Sequence, residues 1–139
     1  MAILNYTTSI ECEKTISEIQ KILVSHGAMK IVTDYSEGTP SAVTFCLFIA
    51  DNMVAFSLPA NYEGVLNAMK KDKKVPHRLC TKEQALKVSW RIIKDWVEAQ
   101  MAIVEAKLAD VAEVFLPYAI VNGTTLYKNI QNNGMKMLN

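Results

Sequence analysis

Glycine and proline are scarce, at five and four of 139 residues. That composition excludes a linker, a collagen-like rod and a low-complexity tract. The glycines Gly27, Gly38, Gly64, Gly123 and Gly134 stand singly, so they read as cap and turn residues. No G-x-G-x-x-G fingerprint, P-loop or G-x-S-x-G elbow is present, which removes the common nucleotide-binding and serine-hydrolase signatures. No apolar run approaches the roughly 18 residues that would cross a bilayer. The opening residues MAILNYTTSI lack the basic start and apolar stretch of a secretory leader. The three cysteines, Cys12, Cys46 and Cys80, are odd in number and far apart. They argue against a disulfide framework and fit a reducing, cytoplasmic setting. The two histidines, His26 and His77, have no cysteine or carboxylate at ligand spacing. The expectation is a non-enzyme: no catalytic residues, no metal and no cofactor.

What is present is a core. Half of the residues are hydrophobic and 21% are charged, enough for one ordered domain over residues 1–139. Its organising stretch is residues 81–109, TKEQALKVSWRIIKDWVEAQMAIVEAKLA. Thr81 followed by Gln84 fits a capping box. Ala85, Ser89, Ile92, Trp96, Ala99, Ile103 and Ala106 recur at helical spacing, beside a second stripe of Leu86, Trp90, Ile93, Val97, Met101, Val104 and Leu108. Two adjacent stripes make a broad apolar face. At 1.5 Å per residue the helix would be about 43 Å long, wider than a small domain. One end therefore needs a partner, either the C-terminal tail or a second copy of the chain. Trp90, Ile93, Trp96, Val97, Met101 and Val104 are the expected homo-oligomer interface.

Ahead of that helix, Thr8 and Glu11 offer a capping box for a first helix whose buried stripe is Cys12, Ile16, Ile19 and Leu23. Gly27 suits its C′ position. Strands are expected at 28–35, 42–50 and 53–58, with Asp51-Asn52 as a tight reversal. Asn61 caps a shorter helix over 62–71, and Pro76 breaks what precedes it. Later come a helical turn near 110–116, a turn at Asn122-Gly123, a last helical segment near 124–130 and a polar, frayed end over 131–139. The expected fold is α+β: a three-stranded antiparallel meander packed with helices, plus the long amphipathic helix.

Net charge is only +1, yet it is segregated. Residues 70–94 hold nine Lys and Arg against Asp72 and Glu83, a net of +7, which leaves −6 elsewhere. Lys70, Lys71, Lys73, Lys74, His77 and Arg78 form a basic connector, and Lys87, Arg91 and Lys94 continue the sign along one helix edge. An array of this kind suits phosphate backbones, which require charge more than a motif. The plainer reading is a hydrophilic loop kept wet by lysine. Other candidates reduce to structure: Arg91 with Asp95 and Lys94 with Glu98 read as i,i+4 pairs, and Trp90 and Trp96 as packing rather than base-stacking groups. Cys80, beside several cations, is a weak candidate for a reactive thiol.

The order helix, three strands, helix over residues 9–71 resembles the double-stranded RNA-binding domain. That family places its basic cluster at the start of the second helix. Here that position is Asn61-Tyr62-Glu63-Gly64, and the lysines follow the helix instead. Across about residues 5–130, the segments HGAMKIVTDY, WRIIKDWVEAQMAIVEA and EVFLPYAIVNGTTLY are similar to uncharacterised small proteins of bacteriophages and integrated elements of Gram-positive bacteria. That resemblance implies a phage accessory role such as DNA handling or inhibition of a host defence protein. The expected function is thus an oligomeric, non-catalytic accessory protein recognising nucleic acid or another phosphate-rich ligand. The alternative is a protein-interaction module or host-defence inhibitor. Expected partners are a second copy, nucleic acid or a nucleotide, or a host protein, and not a membrane.

Overall fold

The computed structural model of the chain describes residues 3–133. The last six residues of the end expected to fray lie outside the described residues. The fold is α+β, as expected. Helix α1 (Cys12–Ser25) leads into strands β1 (Met29–Ser36), β2 (Thr39–Ile49) and β3 (Asn52–Pro59). These pair in the order β1-β2-β3, antiparallel throughout. Then follow α2 (Tyr62–Lys71), the long α3 (Lys82–Glu105), a short α4 (Val111–Phe115), the two-stranded hairpin β4 (Ile120–Val121) and β5 (Thr124–Thr125), and α5 (Leu126–Asn132).

Each hairpin closes through a two-residue loop whose residues both have positive φ. They are Glu37 and Gly38 (52° and 80°), Ala50 and Asp51 (50° and 66°), and Asn122 and Gly123 (54° and 84°). That geometry follows the twist of the flanking strands. The β2–β3 reversal falls one residue earlier than expected, on Ala50 and Asp51, because Ile49 pairs with Asn52. Strand β2 starts earlier too and includes Pro40. A proline is tolerated there because the ladder to β1 is already irregular between Asp34 and Tyr35.

The pleat sends Val43, Phe45 and Leu47 of β2, with Phe56 and Leu58 of β3, into a buried cluster with Ile16, Ile19 and Leu23 of α1 and Trp90, Val97 and Met101 of α3. Phe45 and Phe56 are cross-strand partners, stacked with centroids 5.5 Å apart. Phe115 of α4 meets Phe45 edge-on at 5.2 Å and Trp96 at 5.6 Å. Trp96 in turn meets Tyr118 at 5.5 Å. The Trp90 indole is fully buried, and its Nε1 has no hydrogen-bond partner among the described residues.

A second buried cluster lies between α2 and α3: Met69, Val75, Ala85 and Val88, with Val65, Leu66, Leu79 and Ile92 packed on it. Helix α3 therefore makes its contacts with α1 and with α2, using different residues for each. The order of elements is the one that resembles the RNA-binding domain, but the helix that joins α1 in the main core is α3.

Helix boundaries follow from capping chemistry. Thr81 and Asn61 accept hydrogen bonds from the Gln84 and Gly64 amides at 3.1 and 3.0 Å, capping α3 and α2. At α1 the expected cap is not made: the Thr8 hydroxyl accepts instead from the Ile10 amide, and the helix begins after Glu11. The far end of α1 stops at Gly27 (φ 96°), where Ala28 N–H reaches Leu23 O and Gly27 N–H reaches Val24 O. This is a Schellman closure. The same two bonds close α3: Leu108 N–H to Ile103 O and Lys107 N–H to Val104 O. Helix α3 therefore ends at Glu105, four residues short of the expected 109, with Lys107 rather than glycine in the left-handed position (φ 61°).

Candidate nucleic-acid interface

The basic connector is a built loop. Helix α2 ends at Lys71, and Asp72 closes it with its N–H directed to Ala68 O and Met69 O. The Asp72 carboxylate accepts from the Lys74 amide at 2.9 Å, and the Asp72 carbonyl accepts from the Val75 amide. Val75 is buried on Met69, and a 3-10 turn, His77–Leu79, carries the chain to the Thr81 cap. Met69, Val75 and Leu79 thus pin the segment to the second cluster. The basic residues between them, Lys70, Lys71, Lys73, Lys74, His77 and Arg78, are all exposed. Among the described residues none of the six has a carboxylate within ion-pair distance. Asp72, the one acid within the loop, has one oxygen engaged by a backbone N–H.

The three basic residues of α3 are placed differently. Lys87 lies 3.4 Å from Glu11 and 4.0 Å from Glu83. Arg91 pairs with Glu18 of α1 and donates to the Thr15 hydroxyl at 3.4 Å. Lys94 pairs with Glu98. All three side chains are largely covered. The nine-residue array separates into six exposed basic residues on the loop and three paired ones on the helix. The separation has a simple cause. Among the described residues no carboxylate reaches a loop cation, whereas Glu11 and Glu18 at and within α1, and Glu83 and Glu98 of α3 itself, lie beside the helix cations. Of the two i,i+4 pairs read from sequence, Lys94 with Glu98 is made. Arg91 turns to Glu18 instead, and Asp95 accepts from the Asn5 amide group at 2.8 Å.

The residues expected at an oligomer interface are placed inside the chain. Trp90, Val97 and Met101 are buried in the main core, and Ile93, Trp96 and Val104 are half-buried against it. The partner that the broad face of α3 needed is supplied by α1, the sheet and the C-terminal segment, whose Phe115 and Tyr118 meet Trp96. Ile93 and Trp96 still line a depression of about 200 Å³ with Leu58, Pro59 and Tyr118. The three cysteines are half-buried and free. Burial, and then the Glu13 and Glu11 carboxylates, push the Cys12 thiol above its ordinary pKa, with Lys87 opposing them. Among the described residues no three His, Cys, Asp or Glu gather where a metal would sit.

Sequence reasoning did not find a second concavity, of about 370 Å³, between β3 and the C-terminal hairpin. It gathers Tyr118 and Tyr127 with Lys128. The Asn122-Gly123 turn was the available signal, since a two-residue reversal returns residues 124–128 towards residues 117–120.

No model of a known family, no characterised protein and no solved structure matches the chain. Among the described residues no helix is long and apolar enough to cross a membrane.

Proposed function

We propose that the chain is a non-catalytic module that recognises phosphate-rich ligands, foremost nucleic acid, through the loop over residues 70–78. One observation carries this reading: five permanent cations within nine residues of an anchored loop, Lys70, Lys71, Lys73, Lys74 and Arg78, stand exposed and, among the described residues, without an ion-pair partner. Uncompensated charge on an ordered segment keeps its attraction for phosphate and loses little entropy on binding. Lys87, Arg91 and Lys94 fall outside the site in this reading, because their carboxylate partners compete with phosphate.

The test is the salt dependence of binding to labelled single- and double-stranded oligonucleotides. Neutralising four or five phosphates gives a slope of log K against log salt of about −3 to −4.5. Replacing Lys73 and Lys74 by alanine should reduce that slope by about 1.5–2. Equal retention of nucleic acid at low and high salt overturns the reading. Absence of oligonucleotide binding together with stoichiometric capture of a protein would favour the interaction-module alternative.

A further inference from the structure

The cavity between β3 and the C-terminal hairpin shares no lining residue with the basic loop and has a different chemistry. Ser57 and Pro59 of β3 line it, with Tyr118 from the 3-10 turn after α4, Thr124 of β5, and Tyr127 and Lys128 of α5. Tyr118 is held by the edge of Trp96, 5.5 Å between centroids, and Trp96 by Phe115. One wall therefore rests on the main core. The hairpin wall is tied by Asn129, whose side-chain amide donates to Val121 O at 2.7 Å and Thr125 O at 3.3 Å.

Four hydroxyls, those of Ser57, Tyr118, Thr124 and Tyr127, and the Lys128 ammonium have no hydrogen-bond or ion-pair partner among the described residues. Among the described residues no Asp or Glu lines the cavity. The inventory is two phenol rings, several neutral donors and one cation, without a negative charge. A flat ring gains from stacking on or packing edge-on against the tyrosine rings, and an acid group gains from Lys128 and the hydroxyls. A cationic ligand meets Lys128 with nothing to offset it. The volume sits at the lower end of the roughly 300–1,000 Å³ typical of small-molecule sites. We propose that this cavity binds a small aromatic anion, one ring system carrying a carboxylate or a phosphate.

The test is titration of the ¹⁵N-labelled full chain with benzoate, with adenosine monophosphate and with neutral benzamide, read by amide shifts. Benzoate or the nucleotide at about 1 mM should move the amides of Thr124, Thr125 and Lys128. Preference for one or the other identifies the acid group as carboxylate or phosphate. Lys128→Gln should weaken the preferred anion by about tenfold and leave benzamide unaffected. Tyr127→Ala, at an exposed position, should weaken all three. Replacing Lys73 and Lys74 by alanine should change none of them, which separates this site from the basic loop. The proposal is overturned if neither anion moves these amides, if the shifts are confined to residues 70–78, if benzamide binds as tightly as the anions, or if Lys128→Gln leaves affinity unchanged.

Discussion

The guanidinium of Arg91 on α3 is held by the carboxylate of Glu18 on α1. With the pairs of Lys87 and Lys94, this pairing divides the positive charge of the chain between helix and loop. In the sequence Arg91 continues a cationic edge with Lys87 and Lys94, but in the fold it cross-links two helices. Arg91→Ala is expected to cost about 1 kcal/mol of stability, since Glu18 remains partly solvated and the pair is screened. Urea denaturation checks this. Oligonucleotide affinity should be unchanged by the same substitution, whereas Lys73→Ala should lower affinity and leave stability within about 0.5 kcal/mol of the parent.

Lys107 occupies a left-handed backbone position that α1 fills with Gly27. The two Schellman closures are otherwise alike in their hydrogen bonds. A side chain in that conformation costs about 1–2 kcal/mol, and glycine returns part of the gain as unfolded-state entropy. Lys107→Gly is therefore expected to stabilise by about 0.5–1 kcal/mol, seen as a rise in melting temperature. Gly27→Ala should lower it by a similar amount.

The β2–β3 turn carries Ala50 and Asp51 where Asn-Gly suits the backbone best. The double substitution Ala50→Asn with Asp51→Gly should stabilise by about 1 kcal/mol. Thermal unfolding followed by circular dichroism reads the change. A loss of stability would show that the strand register, and not the turn, sets the loop conformation.

Much of the fold was legible because local signals agreed with the tertiary result. Asn61 and Thr81 announced two helix starts, and the near-continuous apolar run over 42–50 announced the central strand, though not that Val43, Phe45 and Leu47 are the residues turned inward. Thr8 misled: its hydroxyl is used by the nearer Ile10 amide, so α1 starts a turn later. The end of α3 was not legible, because its apolar stripe runs past Glu105 while termination depends on the backbone of Lys107, which composition does not announce. The basic loop was readable as charge and the Lys94–Glu98 pair from its spacing, but the loop's separation from Lys87 and Arg91 was not. That depends on Glu11 and Glu18 lying about 70 residues earlier in the chain, and nothing local reports which helices pack together. The cavity at Tyr118 and Tyr127 was hidden for the same reason.

Cys12 gives a pH-dependent readout. Its raised pKa means that the folded chain holds the thiol proton more tightly than the unfolded chain. The resulting contribution to stability is complete below the ordinary thiol value and is lost as the pH rises through the raised one. Between about pH 8 and pH 10 the parent should lose more stability than Cys12→Ser. At about pH 8 alkylation of Cys12 should be slower in the folded chain than in urea. Equal slopes of stability against pH in the two proteins would remove burial as the cause.

Trp90 separates an internal role from an intermolecular one. If its indole anchored a second copy, Trp90→Ala would dissociate the assembly and leave each chain folded. In the structure the ring is fully buried among residues of the same chain, so its removal opens a cavity in the main core. The expected cost is about 3–5 kcal/mol, and it should not depend on protein concentration. Trp90→Phe should cost far less, about 1 kcal/mol, because it also removes the indole N–H that is buried without a partner. Sedimentation at two concentrations, paired with urea denaturation followed by far-ultraviolet circular dichroism, distinguishes the outcomes. A folded, dissociated Trp90→Ala chain would assign the indole to an interface between copies. A concentration-independent loss of folding assigns it to the core shared by α1, the sheet and α3.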